Sequence, residues 1–428
     1  MIKCNPALCL FGIACILFTS HPVYAQFSID ANLRNRFEIR DGYQRLALNG
    51  SEPTFLISQR TRLSFSYEIK NLKLKVSPQD VRLWGDQTTL SSTGTGDNPS
   101  LDLLEAYAEL KLGNHAWISA GRQQLVYDSK RLLGDRNWNQ NGIAYDALVL
   151  KFVSGNWKLH TGAAWNNLTE TLSENLYPST RIKSLNYLWL SRKFNVHYSL
   201  SLLHISSGLT KTDTTSPLNF RNTTGLYGAY KSKDLSVWGN VYYQYGKNQK
   251  SNKVSAFLID AEADYKIGRF SPGLGFGYLS GNRKTAGPGI TDKLFDPLYG
   301  NRHRFFGVMD YFRSFGSNTK QGGLADYYLW LDYKCSQQIS IRNTAHYFTL
   351  AQTNPATPKK AELGFENDMI FKYRFNEWGD LEGGYCFFLP TETLKSIQDV
   401  QDNRFSQFFY LQLTITPNVF KQTSTPEK

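Results

Sequence analysis

The sequence predicts an all-β protein, a transmembrane antiparallel β-barrel of the outer-membrane type with about eighteen strands. Three observations lead there. Long segments alternate apolar and charged residues with period two. The chain is polar on average, with mean hydropathy −0.41, yet 14 % of its 428 residues are aromatic. The joints between alternating segments are short and long by turns. Beyond residue 25 no apolar run reaches the roughly 18 to 20 residues that a membrane helix needs, so any span must be made of strands.

The chain opens with Lys3, an apolar stretch from Ala7 to Phe18 and the small-residue exit Val23-Tyr24-Ala25. This is the layout of a secretory signal peptide over residues 1–25, cleaved before Gln26. A lipoprotein box at Gly12-Ile13-Ala14-Cys15 competes, but its apolar stretch before Cys15 is very short. Cleavage removes one charge, Lys3, from the formal +12, and three of the five cysteines. The remaining Cys335 and Cys386 pair only if the fold brings them together. No CxxC or spaced histidine pair accompanies them, so neither a metal nor any other cofactor is expected.

The first segment sets the pattern. Phe27, Ile29, Ala31, Leu33, Phe37 and Ile39 alternate with Ser28, Asp30, Asn32, Arg34, Arg36, Glu38 and Arg40, and side chains two apart on a strand share a face. Residues 57–70, 254–267 and 362–375 repeat it. Read this way, strands fall at about 26–41, 54–70, 71–85, 101–112, 115–127, 143–153, 156–166, 182–193 and 196–206. The second half adds 221–231, 234–245, 253–267, 269–281, 323–334, 338–351, 361–375, 379–390 and 404–416. Segments 143–153 and 182–193 alternate poorly, and sixteen or twenty strands stay open. The barrel would occupy 26–416, followed by a polar tail over 417–428.

A soluble sandwich also alternates. It is disfavoured by strands of ten to sixteen residues, where five or six are usual, by aromatics near strand ends, and by the rhythm of the joints. Short joints at Lys70-Asn71, Gly113-Asn114, Ser154-Gly155, Phe194-Asn195 and Asn376-Glu377 separate longer ones, which is the outer-membrane plan with both termini periplasmic.

With greasy faces outward, charged faces line the lumen. Arg34, Arg36, Arg40, Arg60, Arg62 and Arg82 then crowd one sector, with Asp30, Glu38, Glu68 and Asp80 among them. Guanidinium forks bind carboxylates and keep their charge, so such a wall attracts an acidic solute. The competing reading makes these charges braces that neutralise one another across strands.

Several motifs resemble the alginate export porins. They are Arg34-Asn-Arg36-Phe-Glu38-Ile-Arg40, Gln79-Asp-Val-Arg82-Leu-Trp84-Gly85, Glu105-Ala-Tyr107-Ala-Glu-Leu110, and Gly121-Arg122-Gln123 running into Arg131-Leu-Leu-Gly134 and Trp138. Gly142-Ile-Ala-Tyr145-Asp146-Ala147, Asp296-Pro-Leu-Tyr-Gly300 and His303-Arg304-Phe305 continue the likeness, which is dense over residues 30–150. Where that family commonly has a basic residue before Tyr-Asp-Ala, this chain has Ile143-Ala144. The resemblance implies an eighteen-strand outer-membrane conduit for an anionic polysaccharide or acidic sugar. Arg36, Arg62, Arg82, Arg122 and Arg131 are its implied anion contacts and Asp80, Glu105 and Asp146 their neighbours. It also implies a monomer, contact with lipid and lipopolysaccharide, and periplasmic secretion components as partners.

The connection from Asn282 to Gly322 is far above ordinary loop length, and such loops are usually functional. It carries Arg283, Lys284, Arg302, His303, Arg304 and Arg313, with Arg302 and Arg304 expected in the lumen. It either constricts the pore or faces lipopolysaccharide. The basic loop 128–141 carries Trp138, placed to stack on a sugar ring. No Gly-x-Ser-x-Gly, HExxH or P-loop pattern appears, so no enzyme is expected. His160, His197 and His204 read as wall residues. Basic residues alternate with lipid-type ones instead of forming a patch, which excludes nucleic acid. A general nutrient porin and a plugged, surface-binding barrel remain the alternatives to an acidic-saccharide channel.

Overall fold

Alternation becomes register in the computed structural model, which describes residues 26–85, 101–170, 172–174, 176–284 and 289–422. The expected signal peptide, the polar segment 91–100 and residues 423–428 of the expected tail lie outside them. The first half of the wall is β1 (Gln26–Asp41), β2 (Thr54–Ile69), β3 (Leu72–Leu83), β4 (Leu101–Lys111), β5 (Ala116–Gln123), β6 (Tyr145–Ser154), β7 (Trp157–Trp165), β8 (Ser184–Lys193) and β9 (Tyr198–Thr210). The second half is β10 (Leu218–Lys231), β11 (Leu235–Lys247), β12 (Lys253–Tyr265), β13 (Phe270–Leu279), β14 (Leu324–Lys334), β15 (Ile339–Thr349), β16 (Glu362–Asn376), β17 (Gly379–Pro390) and β18 (Ser406–Ile415). Each strand pairs antiparallel with its predecessor, and β18 closes on β1 with Phe37 opposite Leu411. Every strand from β1 to β18 is thereby paired on both sides, as a wall in lipid requires.

The last wall position is shared. A short β19 (Asn418–Gln422) continues past the break at Thr416-Pro417 and pairs with the start of β1, Phe27 opposite Gln422. Pro417 has no N–H to give the ladder, but its carbonyl accepts from Ala31 N at 3.0 Å. Eighteen wall positions result, and the wall runs past the expected boundary at residue 416. Connections of two to four residues alternate with connections of five to forty-four, so the long ones mark the extracellular side.

Outward faces carry the apolar belt, with Phe257, Ile259, Leu329, Leu331 and Leu411 exposed. The inward face is not uniformly charged. From β6 to β13 it presents Val149, Leu185, Leu203, Ile205, Ala256, Leu258 and Leu279, all buried, because two long loops fold into the lumen and pack there. Segments 143–153 and 182–193 alternate poorly for that reason: both of their faces bury apolar surface, one against lipid and one against a loop.

Some wall aromatics are seated by glycine. A Cβ on Gly275 would come within 2.2 Å of the Tyr328 ring, and one on Gly273 within 2.2 Å of Trp330, so both rings lie flat against the inner wall where only glycine gives room. Such cross-strand pairing of an aromatic with glycine fixes register as well as ring position.

Candidate functional site

The loops that enter the lumen are residues 124–144, between β5 and β6, and residues 280–323, between β13 and β14. They are tied to each other first. Tyr299 N donates to Leu132 O at 3.1 Å, Asn301 N to Lys130 O at 3.0 Å, and the Asn301 side chain bridges Arg136 N (2.7 Å) and Asp135 Oδ1 (2.6 Å). Gly300 permits this approach, since a Cβ there would sit 2.0 Å from Arg131 O.

Charged wall residues then anchor the pair. Arg131 Nε lies 2.7 Å from Asp260 Oδ2, both side chains only 2 % exposed, and its guanidinium covers Phe305 at 4.1 Å and Phe306 at 4.4 Å. Glu366 accepts from Met309 N at 2.8 Å and Asp368 from Val308 N at 3.1 Å. Tyr43 OH donates to Asp310 at 2.5 Å, and Tyr311 OH to Gly42 O at 2.7 Å.

The arginines of β1 and β2 serve the shorter loop. Arg34 donates to Gln140 Oε1 at 2.8 Å and to the carbonyls of Asn137 (2.6 Å), Trp138 (3.3 Å) and Asn139 (3.1 Å). Arg36 reaches Trp138 O at 2.9 Å and Glu38 at 2.6 Å. Arg60 binds Asn32 and Asn137, and Arg62 binds Gln79. Arg40 pairs with Glu38 and covers Tyr43, while Glu105 pairs with Lys75 at 2.6 Å. Arg34, Arg36 and Arg60 are buried; they hold loop carbonyls and so fix where the loop narrows the lumen.

Four of the expected lumen residues point the other way. Asp80 and Arg82 stand opposite Thr61 and Gln59, and they share the outward parity of Leu74 and Val76. Their own ion pair lies on that face. Arg122 and Asp146 pair at 3.3 Å on the side of exposed Leu148, opposite buried Ser119, Gln123 and Val149. The expectation that these four line the channel is corrected. We expect Arg82→Ala to leave the reversal potential in a salt gradient at its wild-type value; a shift toward cation preference would contradict the outward placement.

Trp138 differs from expectation too. Arg36 covers its ring at 3.9 Å, and His303 stacks on it at 3.8 Å with 10° between planes. It is therefore part of a constriction and offers no free face to a sugar. Above this stack, on the extracellular side, a cavity of about 430 Å³ is lined by Gln44, Arg136, Arg302, Arg304, Arg313 and Asp310 among others. Below it a second, of about 530 Å³, is lined by Glu262, Tyr328, Trp330, Arg342, Asp368 and Tyr410 among others. Trp138, His303 and Arg304 line both.

The mouth is electrostatically one-sided. Arg136 donates to the carbonyls of Gly300 and Leu298, Arg302 to those of Arg313 and Leu298, and Arg304 to that of Ser129. Arg302 also comes within 3.4 Å of Asp296. Burial and the neighbouring Arg302 and Arg313 charges hold the Arg136 guanidinium below its ordinary pKa. Burial alone would raise Asp310, but His303 at 3.1 Å, the Tyr43 hydroxyl and Arg313 outweigh it and hold the carboxyl below the usual range. A group depressed in the fold stabilises above its unfolded pKa and ceases to do so as pH falls through its folded one. We therefore expect loop fluctuations, read as open-channel noise, to rise only below the ordinary carboxylate range; noise that rises between pH 5 and 7 would contradict this.

Sequence reasoning put Glu262 on the charged face of 254–267 without making it a site residue, and passed over Arg136, Tyr328, Trp330 and Arg342. Parity on β14 and β15 could have found the strand residues. The loop readings were closer, since 282–322 does enter the lumen and Arg302 and Arg304 lie there. His160 bonds Tyr127 and His204 bonds Thr224, as wall residues do. Cys335 and Cys386 are both free.

Comparison with known proteins agrees with this architecture. The model of the alginate export family matches residues 25–406. No curated protein sequence matches the chain. Among solved structures, Pseudomonas aeruginosa OpdK with vanillate is similar at TM-score 0.61 and 13 % identity, over 92 % of this chain and 98 % of that one. Acinetobacter baumannii OccAB4 is similar at 0.61 and 14 %, over 92 % and 99 %, and Pseudomonas aeruginosa OccK3 (OpdO) at 0.61 and 10 %, over 92 % and 96 %. Identities this low speak for the fold. With the family model covering most of the chain, the protein belongs to the alginate export family, as an eighteen-strand channel barrel of the bacterial outer membrane.

Proposed function

We propose that the barrel is an anion-preferring channel for acidic saccharides, with selectivity set at the loop-lined mouth. The observation that carries this is the convergence of Arg136, Arg302, Arg304 and Arg313 on one cavity whose lining, among the described residues, holds a single carboxylate, Asp310. Guanidiniums bonded mainly to backbone carbonyls keep their net charge, and rings of such charge in a narrow, low-dielectric passage favour anions. The carboxylate of a uronate matches the guanidinium fork. Family membership supports a polyuronate-like cargo, and vanillate, with which one similar structure was crystallised, is also a carboxylate. The narrowing at Trp138 and His303 favours single sugars and short oligomers while the loops are docked as described.

The test is the Arg302→Ala/Arg304→Ala double variant in a planar bilayer under a salt gradient. Its reversal potential is expected to move toward zero, and block by glucuronate to weaken by about tenfold, the loss of one or two charge-assisted contacts. Unchanged selectivity would move the reading to a general nutrient porin. A silent, correctly folded wild type would move it to a plugged barrel.

A further inference from the structure

The chamber below the constriction differs chemically from the mouth. Its charges largely pair among themselves: Arg342 binds Asp332 through two bonds of 2.8 and 2.6 Å, and Lys372 binds Glu382 at 2.7 Å. What they leave open suits a neutral group better than a bare anion. Glu262 accepts from Trp238 Nε1 (3.0 Å) and Tyr328 OH (2.9 Å), both uncharged donors. Trp330 Nε1 and Asp368 Oδ1 are buried with no hydrogen-bond partner among the described residues, and both residues line the same cavity. A buried donor and a buried acceptor left unmade each carry a desolvation cost, and a hydroxyl, which donates and accepts, satisfies either.

The same wall is aromatic. Tyr328 and Trp330 lie flat over Gly275 and Gly273, with their planes 25° apart; Trp330 is buried with the Arg342 guanidinium over its ring at 5.3 Å, and half-buried Tyr328 keeps the open face. Tyr410 is seated likewise over Gly384, where a Cβ would come to 2.1 Å, and its hydroxyl donates to Glu382 at 2.7 Å. A π-face is negative and accepts the C–H face of a pyranose, whose hydroxyls project around its rim. A cavity of about 530 Å³ is in the range of small-ligand sites.

We propose that this chamber is a saccharide subsite. It holds one pyranose ring against Tyr328, with ring hydroxyls accepting from Trp330 Nε1 and donating to Asp368 and Glu262. Resting on the acidic-saccharide reading, it adds that hydroxyls are recognised apart from charge. The mouth selects for the acid and the chamber for the sugar, so a carboxylate without hydroxyls gains from the first and not the second.

Saturation-transfer NMR on the full barrel in detergent micelles tests this without requiring conduction, using glucose, glucuronate and succinate as probes. The ring protons of glucose and glucuronate are expected to receive saturation, and the methylene protons of succinate, which meets only the mouth, to receive clearly less. Trp330→Phe, which keeps a ring and removes the donor, is expected to weaken glucose binding about fivefold, the loss of one hydrogen bond. Asp368→Asn supplies a second variant that preserves volume. Equal response from succinate and glucuronate, no response from glucose, or wild-type affinity in both variants would overturn the subsite. A barrel that binds glucose through Trp330 yet shows no anion preference in a sugar-free gradient would sink the channel reading and leave the subsite standing.

Discussion

Replacing Arg131 by Ala is expected to release both inward loops while leaving the barrel wall intact. Arg131 is the joint of the assembly: it pairs with Asp260 on β12 and lies over Phe305 and Phe306 of the long loop, and its own loop bonds Tyr299 and Asn301. Truncation leaves Asp260 buried without its counter-charge, which costs about 3–5 kcal/mol, a penalty at the centre of the docked pair that the Arg34, Arg36, Arg60, Glu366 and Asp368 bonds to the loops do not relieve. Single-channel conductance should rise severalfold, and trypsin should cut within the loop at Arg302, Arg304 or Arg313. The circular dichroism of the strands should not change. Replacing the pair together, Arg131→Met with Asp260→Leu, should recover much of the docking, since an apolar pair removes the stranded charge. Wild-type conductance and protease resistance in Arg131→Ala would show that the loops are held by something else.

The second large effect is expected from Trp138→Ala. The indole fills the gap between Arg36 and His303 and separates the two cavities, so its removal joins them. Conductance should rise about twofold or more, as expected when a constriction is widened. Anion preference should fall only partly, because the mouth arginines bond to loop carbonyls that the substitution does not touch. A variant with wild-type conductance would place the narrowest point elsewhere.

The wall was legible because period two leaves a long record: the expected strands match the observed ones within a few residues from β1 to β18. Segment 115–127 was read too long, since the strand ends at Gln123 and the chain then turns into the lumen under the same apolar pattern that a strand would show. The faces were legible in part. Asp80 and Arg82 fall in step with Leu72, Leu74 and Val76, so their outward side could be counted from the sequence, but charge was taken as the sign of the lumen. A strand near the rim need not obey that, because lipid headgroups solvate charge.

The partners of Arg34 and Arg60 were not legible. They are carbonyl and amide groups about a hundred residues and about eighty residues away, and backbone acceptors leave no mark in a sequence. The resemblance led to Arg36, Arg62 and Arg131, which face the lumen, and equally to Arg82 and Arg122, which do not; the length and charge of the connection led to Arg302 and Arg304. The inward aromatics Tyr328 and Trp330 stood in plain alternation on β14 and were passed over, since a ring on a barrel strand ordinarily faces lipid.

The most direct measurement is the reversal potential of the wild-type channel in a planar bilayer under a salt gradient, repeated with glucuronate added to the extracellular side. The account predicts anion preference and a concentration-dependent block by glucuronate. A neutral or cation-selective current that glucuronate leaves untouched would contradict it.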